Sequence, residues 1–190
     1  MVDIGFIHDI KYIVSLLHKD RQSLFFSATV DGKVREVINA FVKNPVTVSV
    51  KTQETAQNVT QRIIKLTNGQ KKIDLLHDLL IQKEFEKVLI FGRTKYGVQR
   101  LSDELVKRGF TSEAIHGNKR QGQRQRALDA FKRNEVQILL ATDVAARGLD
   151  IPSVSHVINY DLPESHDAYI HRIGRTGRAD KRGVALTFVE

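Results

Sequence analysis

The chain has 190 residues, of which 41% are hydrophobic and 27% charged, a composition typical of a globular protein rather than a disordered one. Its 30 Lys and Arg outnumber 22 Asp and Glu, and the net charge of +8 favours a polyanionic partner, nucleic acid ahead of an anionic membrane surface. The sequence contains no cysteine, which excludes disulfides and thiolate metal sites. Because no apolar run approaches the roughly 20 residues of a membrane span and the first residues lack a secretory-signal pattern, we expect a cytoplasmic protein.

The first 50 residues predict an incomplete α/β unit. The stretches "GFIHDIKYIVSLL" and "KVREVINAFVKN" have helical patterns, and "QSLFFSAT" and "VTVSV" predict strands. Two strands are too few to bury both faces of a sheet. We therefore expect unburied apolar side chains, namely Phe25, Phe26, Val37 and Phe41. Such a segment is disordered, folds back on the following domain, or forms a homodimer by pairing with another copy.

Residues 51–57, "KTQETAQ", are polar and without periodicity, which is typical of a linker. From residue 58 to 190, short apolar runs alternate with helical patterns. The predicted strands are "NVTQRIIKL", "KVLIFG", "SEAIHG", "VQILLATD", "SVSHVINYD" and "GVALTFV". Nearly continuous apolar strands separated by helices predict an α/β fold with a doubly wound, mostly parallel sheet that is covered on both faces.

Basic, hydroxyl and glycine residues follow three of these strands, where open α/β sheets bind ligands. They are Arg93 and Thr94, Gly117, and Thr142, which the acidic Asp143 follows. Turns of this kind suit the successive phosphates of a nucleic-acid backbone. For any one of them alone, the alternative is an ordinary strand-to-helix turn with an N-cap.

The stretch "RQGQRQR" begins a predicted helix with a basic patch. Gln121 and Arg124 are three residues apart, so they share a helix face and project together. The alternative is a solvated basic face without a ligand.

In "ATDVAARGLDIP", Asp150 is a candidate acceptor for a ribose hydroxyl, as acidic residues are in nucleotide-binding folds. The alternative is a structural ion pair between Asp150 and Arg147.

The densest basic stretch is "HRIGRTGRADKRG" near the end of the chain. Arg172, Arg175 and Arg178 recur every three residues, and the intervening glycines predict that the helix ends near Gly174. Three arginines at such a junction are able to converge on one anion, for which a triphosphate is the candidate. The alternatives are a nucleic-acid contact and a solvated loop.

Taken in chain order, five stretches resemble motifs III to VI of the DEAD-box ATP-dependent RNA helicases. They are "SAT" (Ser27–Thr29), "LIFGRT" (Leu89–Thr94), "HGNKRQGQR" (His116–Arg124), "ATDVAARGLD" (Ala141–Asp150) and "HRIGRTGR" (His171–Arg178). The resemblance implies two RecA-like domains that close on ATP and RNA. Residues 1–50 are then the end of the first domain and 58–190 the second. "AIHGNK" and "GFIHDI" are most similar to a bacterial RhlE-like subgroup.

The resemblance also implies roles for individual residues. Arg175 and Arg178 reach the ATP γ-phosphate and His171 couples to the first domain, so these three are the catalytic candidates. Asp150 and Gly148 belong to the ATP site. The RNA backbone is contacted by Arg93, Thr94, Gly117, Gln121, Arg124, Thr142 and Asp143. Ser27 and Thr29 link the ATP state to RNA binding.

The sequence contains no G-x-x-x-x-G-K-[ST] phosphate loop and no Asp-Glu-Ala-Asp box. The resemblance therefore implies that ATP and Mg²⁺ are held mainly by the missing part of the first RecA-like domain. We expect the chain alone to have negligible ATPase activity. Two other interpretations remain open: a non-enzymatic RNA-binding or interaction module, and a DNA helicase of the same superfamily.

Overall fold

The structure is a computed structural model, and it describes residues 6–27, 32–42, 44–48, 58–67, 69–147, 151, 154–177 and 182–189. The chain divides into two compact units, Met1–Lys51 and Thr52–Glu190. Several predictions concern positions outside the described residues: the linker over 51–57 and the site residues Thr29, Gly148, Asp150 and Arg178.

The first unit contains two helices, α1 (Ile7–Leu16) and α2 (Gly32–Phe41), as predicted. The two predicted strands are wrong over their described residues, since 22–27 and 46–48 have no strand structure. A strand forms only where a partner accepts its backbone hydrogen bonds, and the ladders of the described chain lie within the second unit. Phe25 and Phe26 are exposed as expected, Phe26 by 91%, whereas Val37 and Phe41 are half-buried.

The second unit is built on a six-stranded sheet. All of its neighbouring strands are parallel, in the order β1-β6-β5-β2-β4-β3. The strands are β1 (Val59–Lys65), β2 (Val88–Phe91), β3 (Ser112–Ile115), β4 (Ile138–Ala141), β5 (His156–Asn159) and β6 (Gly183–Val189). The predicted doubly wound parallel sheet is confirmed.

Five helices connect these strands. They are α3 (Lys72–Leu80), α4 (Lys95–Lys107), α5 (Gln121–Lys132), α6 (Asp143–Ala146) and α7 (His166–Ile173). α4 begins at Thr94, whose hydroxyl accepts a capping bond from the Gly97 amide, and α7 ends before Gly174, as predicted. The four-residue α6 was not predicted because one turn is too short to show a helical period.

The core lies on both faces of the sheet, which explains the continuous apolar strands. Val88 and Ile90 of β2 belong to a cluster with apolar side chains of α3 and α4. Leu89 and Phe91, which point the other way, belong to a second cluster with side chains of α5 and α6. The side chains of successive residues in one strand thus pack on opposite faces of the sheet. Because both faces are apolar, the polar groups gather at the ends of the strands.

Candidate nucleic-acid and nucleotide site

The carboxyl ends of β5, β2, β4 and β3 form one edge of the sheet, because these neighbours are parallel. The structure therefore brings together the predicted residues that follow β2, β4 and β3. Arg93, Thr94 and Gly117 are exposed there, and Thr142 and Asp143 are half-buried. We call this edge, with the first residues of α5, the strand-end edge.

The turn after β2 is held by a residue that the sequence reasoning missed. Asp161, which follows β5, accepts a hydrogen bond from the Arg93 amide at its Oδ2 atom, at 2.8 Å. Its Oδ1 atom lies 3.8 Å from the ammonium of Lys72. This anchoring holds the backbone while the Arg93 side chain stays exposed. The same strand-end pattern that selected Arg93 applies to Asp161 and would have found it.

The turn after β3 is supported from α4. His116 is buried, and its Nε2 atom lies 3.0 Å from Oε1 of Gln99. Lys95 donates to the side-chain carbonyl of Asn118 at 2.9 Å, which leaves Gly117 exposed at the tip. Burial lowers the pKa of His116, and two nearby lysine ammonium groups act in the same direction. The imidazole is thus neutral at physiological pH and serves the turn as a hydrogen-bonding group.

Gln121 and Arg124 share a face of α5, as predicted. Nη1 of Arg124 donates to Oε1 of Gln121 at 3.3 Å, and Nη2 donates to the Ala145 carbonyl at 3.2 Å. Gln121 is exposed and Arg124 half-buried. The patch is therefore tied to α6 rather than being a fully solvated face.

Arg172 is buried and its donors are taken by protein acceptors, so the prediction that it converges on an anion with Arg175 and Arg178 is wrong for Arg172. Its side chain is 2% exposed, and Nε and Nη2 donate to the two carboxylate oxygens of Asp143 at 2.7 and 2.8 Å. Nη1 donates to Oδ1 of Asn159 at 3.2 Å and to the Asp161 carbonyl at 2.7 Å. The guanidinium carbon lies 5.1 Å from the centre of the Phe91 ring. A buried guanidinium needs such local partners, and here it locks the ends of β4 and β5 together.

The ion pair with Arg172 bears on the RNA contact expected of Asp143. Its carboxylate is committed to Arg172, and a carboxylate repels a phosphate. The RNA contact that the resemblance implies for Asp143 stays a prediction.

Three arginines hold the short helix α6. Arg172 binds Asp143 at its first position. The carbonyls of its last two residues accept hydrogen bonds from Arg124 at 3.2 Å and from Arg175 at 3.4 Å. Arg124 is an RNA candidate and Arg175 an ATP candidate, so α6 physically connects the two predicted sets.

A small cleft beside α6 gathers four basic residues and one carboxylate. Arg147, His171 and Arg175 line it together with the paired Arg172 and Asp143; Arg147 and His171 are exposed and Arg175 is half-buried. Such a concentration of donors favours an anion. The sequence reasoning considered Arg147 only as an ion-pair partner, because the packing of α7 beside α6 is not visible in the sequence.

Two kinds of site are absent from the part of the chain that the structure describes. The helices in this part of the chain are too short or too polar to cross a membrane. The described His, Asp and Glu residues form no group of three or more that would hold a metal ion. Ser27 is exposed in the first unit, and its coupling role stays a prediction.

The profile of the helicase conserved C-terminal domain matches residues 71–180. The solved structure of the E. coli DEAD-box protein SrmB, bound to the regulator of ribonuclease activity A, is similar with 41% identity and a TM-score of 0.66. The match covers 70% of this chain and 78% of that one. The chain belongs to the DEAD-box helicase family. The resemblance stated from the motifs is thereby confirmed.

This DEAD-box chain matches part of the length of longer relatives. CshA, a DEAD-box ATP-dependent RNA helicase of Geobacillus kaustophilus, is 46% identical over 190 residues, which are 100% of this chain and 40% of that protein. S. cerevisiae Dbp5 bound to RNA and ADP BeF3 is 34% identical with a TM-score of 0.83, over 98% of this chain and 49% of that one. The chain thus spans 40% of the length of this curated relative. The RhlE-like subgroup stays a prediction.

Proposed function

We propose that this DEAD-box chain is part of an ATP-dependent RNA helicase that remodels RNA duplexes, and that it supplies RNA-backbone contacts and arginine fingers. The observation that carries the proposal is the arrangement around α6. RNA candidates lie along the strand-end edge, a basic cleft lies beside it, and Arg124 and Arg175 bind neighbouring carbonyls of the same short helix.

On the RNA side, the ligand groups are N–H groups, hydroxyls and guanidinium groups at the surface rather than in shaped pockets. The exposed ones come from Arg93, Thr94, Gly117 and Gln121, and the half-buried Arg124 and Thr142 add to them. Groups of this kind bind phosphates and sugars, so binding is largely independent of sequence. Each neutralised phosphate releases counterions, which makes the affinity fall steeply with salt.

On the ATP side, Arg175 and Arg178 offset the negative charge on the γ-phosphate, while Asp150 and Gly148 bind the nucleoside part. ATP supplies the phosphoanhydride that is hydrolysed, and we propose Mg²⁺ as its counterion. The basic lining that Arg147 and His171 add to Arg175 fits a triphosphate. We also propose a cytoplasmic location. A homodimer through residues 1–50 stays a prediction, and light scattering over a range of concentrations tests it.

The decisive experiment removes one charge from the ATP candidates and one from the RNA candidates, each in the two-domain helicase. Arg175→Gln is expected to lower RNA-stimulated ATP turnover by about 10³-fold or more, as for other arginine fingers, while RNA affinity is largely kept. Arg93→Gln is expected to weaken RNA binding. The slope of log affinity against log salt concentration is expected to fall by about 1, which corresponds to one lost phosphate contact. Arg182→Gln, an exposed residue of the same basic stretch, is the control. Equal loss of ATPase activity and RNA affinity in Arg175→Gln would contradict the division of roles.

The 190-residue chain alone tests the other half of the proposal. It is expected to bind single-stranded RNA at low salt and to show negligible ATP turnover with or without RNA. RNA-stimulated turnover by the purified chain would refute the expectation. Competition between RNA and DNA oligonucleotides in the two-domain protein separates an RNA helicase from a DNA helicase.

A further inference from the structure

Tyr96 is an exposed aromatic residue on the strand-end edge. It lies in the first turn of α4, directly after Arg93, Thr94 and Lys95, and 68% of it is exposed. Val144, in the first turn of α6 after the neighbouring strand β4, is 65% exposed. Two apolar groups therefore stand among the polar groups that we assign to RNA, although single exposed apolar side chains are common on protein surfaces.

One cationic group lies beside the Tyr96 ring. The ammonium of Lys95 lies 5.2 Å from the ring centre, and the same ammonium donates to Asn118 in the turn after β3 at 2.9 Å. The ring is therefore next to a lysine that bridges the turns after β2 and β3. An aromatic face beside fixed positive charge matches a nucleotide, which combines an apolar base with an anionic phosphate.

We propose that Tyr96 is a stacking platform for an unpaired base of the RNA strand bound at the strand-end edge. The proposal rests on the proposed RNA-binding function and adds a base contact to it. Stacking on an aromatic ring accepts any base, because every base has a π-face, so the contact adds affinity without sequence preference. The positive charge around the ring favours RNA over an apolar protein partner.

The test uses the 190-residue chain and two oligonucleotides of equal length at low salt, one of single-stranded RNA and one with the same backbone but without bases. Tyr96→Ala is expected to weaken binding to the RNA at least about fivefold, the lower end of what stacking contributes. It is expected to leave binding to the abasic backbone unchanged. Tyr96→Phe keeps the ring and is expected to retain the affinity. Val106→Ala, an exposed position about 15 Å further along α4, is the control.

A second readout reports the stacking directly. The chain contains no tryptophan, so Tyr96→Trp introduces a single, selectively excitable tryptophan at the site and Val106→Trp a matched one away from it. Quenching by the RNA but not by the abasic backbone, in Tyr96→Trp alone, is the expected result. This readout does not depend on whether Tyr96→Ala folds normally.

The outcomes separate this inference from the proposed function. If the wild-type chain binds neither oligonucleotide in a salt-dependent manner, the RNA-binding function itself fails. If it binds both, and Tyr96→Ala weakens both equally or neither, RNA binding stands and the stacking role of Tyr96 is overturned.

Discussion

Replacing Asp143 by alanine removes both acceptors that hold Nε and Nη2 of Arg172, at 2.7 and 2.8 Å. Arg172 is 2% exposed, whereas the Asp143 side chain is 32% exposed. Breaking a buried ion pair by deleting one partner costs about 3–5 kcal/mol. Because water is able to approach from the side of Asp143, we expect the lower end, about 3 kcal/mol of unfolding free energy.

Urea unfolding of the 190-residue chain, followed by far-UV circular dichroism, measures the loss as a lower transition midpoint. With a slope of about 1–3 kcal/mol per molar urea, the midpoint falls by about 1 M or more. Asp103→Ala is the matched control, since the exposed Asp103 accepts a hydrogen bond from Gln99 one helical turn away, and it should cost about 0.5 kcal/mol or less. Adding Arg172→Met to Asp143→Ala removes the orphaned charge and should recover part of the loss. An effect of Asp143→Ala no larger than that of the control, or no recovery in the double variant, would refute the reasoning.

The remaining predictions concern pH and glycine. Burial lowers the pKa of His156, whose ring stacks on Phe85 with centres 3.9 Å apart, so the unfolded chain binds more protons than the folded one. The contribution of the neutral His156 ring to the free energy of unfolding is therefore complete above about pH 6.5. It is lost as the pH falls further, by at most about 1.4 kcal/mol per pH unit. His156→Phe should flatten this dependence in urea titrations between pH 5 and 7.5, and an unchanged slope would contradict the assignment. Gly177→Ala should lower the melting temperature, because φ is +67° and the new Cβ would lie 2.7 Å from Cγ2 of Val59, a conformation costing about 1–3 kcal/mol. Gly122→Ala lies in α5 with nothing within 4 Å of the added atom, so it should raise the melting temperature and add up to about 1 kcal/mol to the free energy of unfolding. Melting-temperature shifts of the same sign in the two variants would argue against this steric account.

Much of the second unit follows from its sequence because four of its strands, β2, β4, β5 and β6, are buried on both faces. The run "GVALTFV" has the same bounds as β6, Gly183–Val189, since a strand without a solvent face is read directly from continuous hydrophobicity. The strand-end rule then located Arg93, Thr94 and Thr142 on a common edge, because parallel strands bring their carboxyl ends together. The family motifs added the roles that composition leaves open.

Other features depended on contacts between residues distant in the chain. Arg172 and Arg175 are three residues apart, and the sequence treats them alike. Packing buries the first against Asp143, 29 positions away, while the second lies past the end of α7 at the basic cleft. The prediction of strands in residues 1–50 was wrong because a strand forms only when a neighbouring strand pairs with it, whatever the propensity of its own residues. The exposure of Tyr96 likewise depends on how α4 packs on the sheet. Local pattern determined most elements of the second unit and their order, and only the tertiary structure decided which polar and aromatic side chains are buried in the fold and which stay exposed on the strand-end edge.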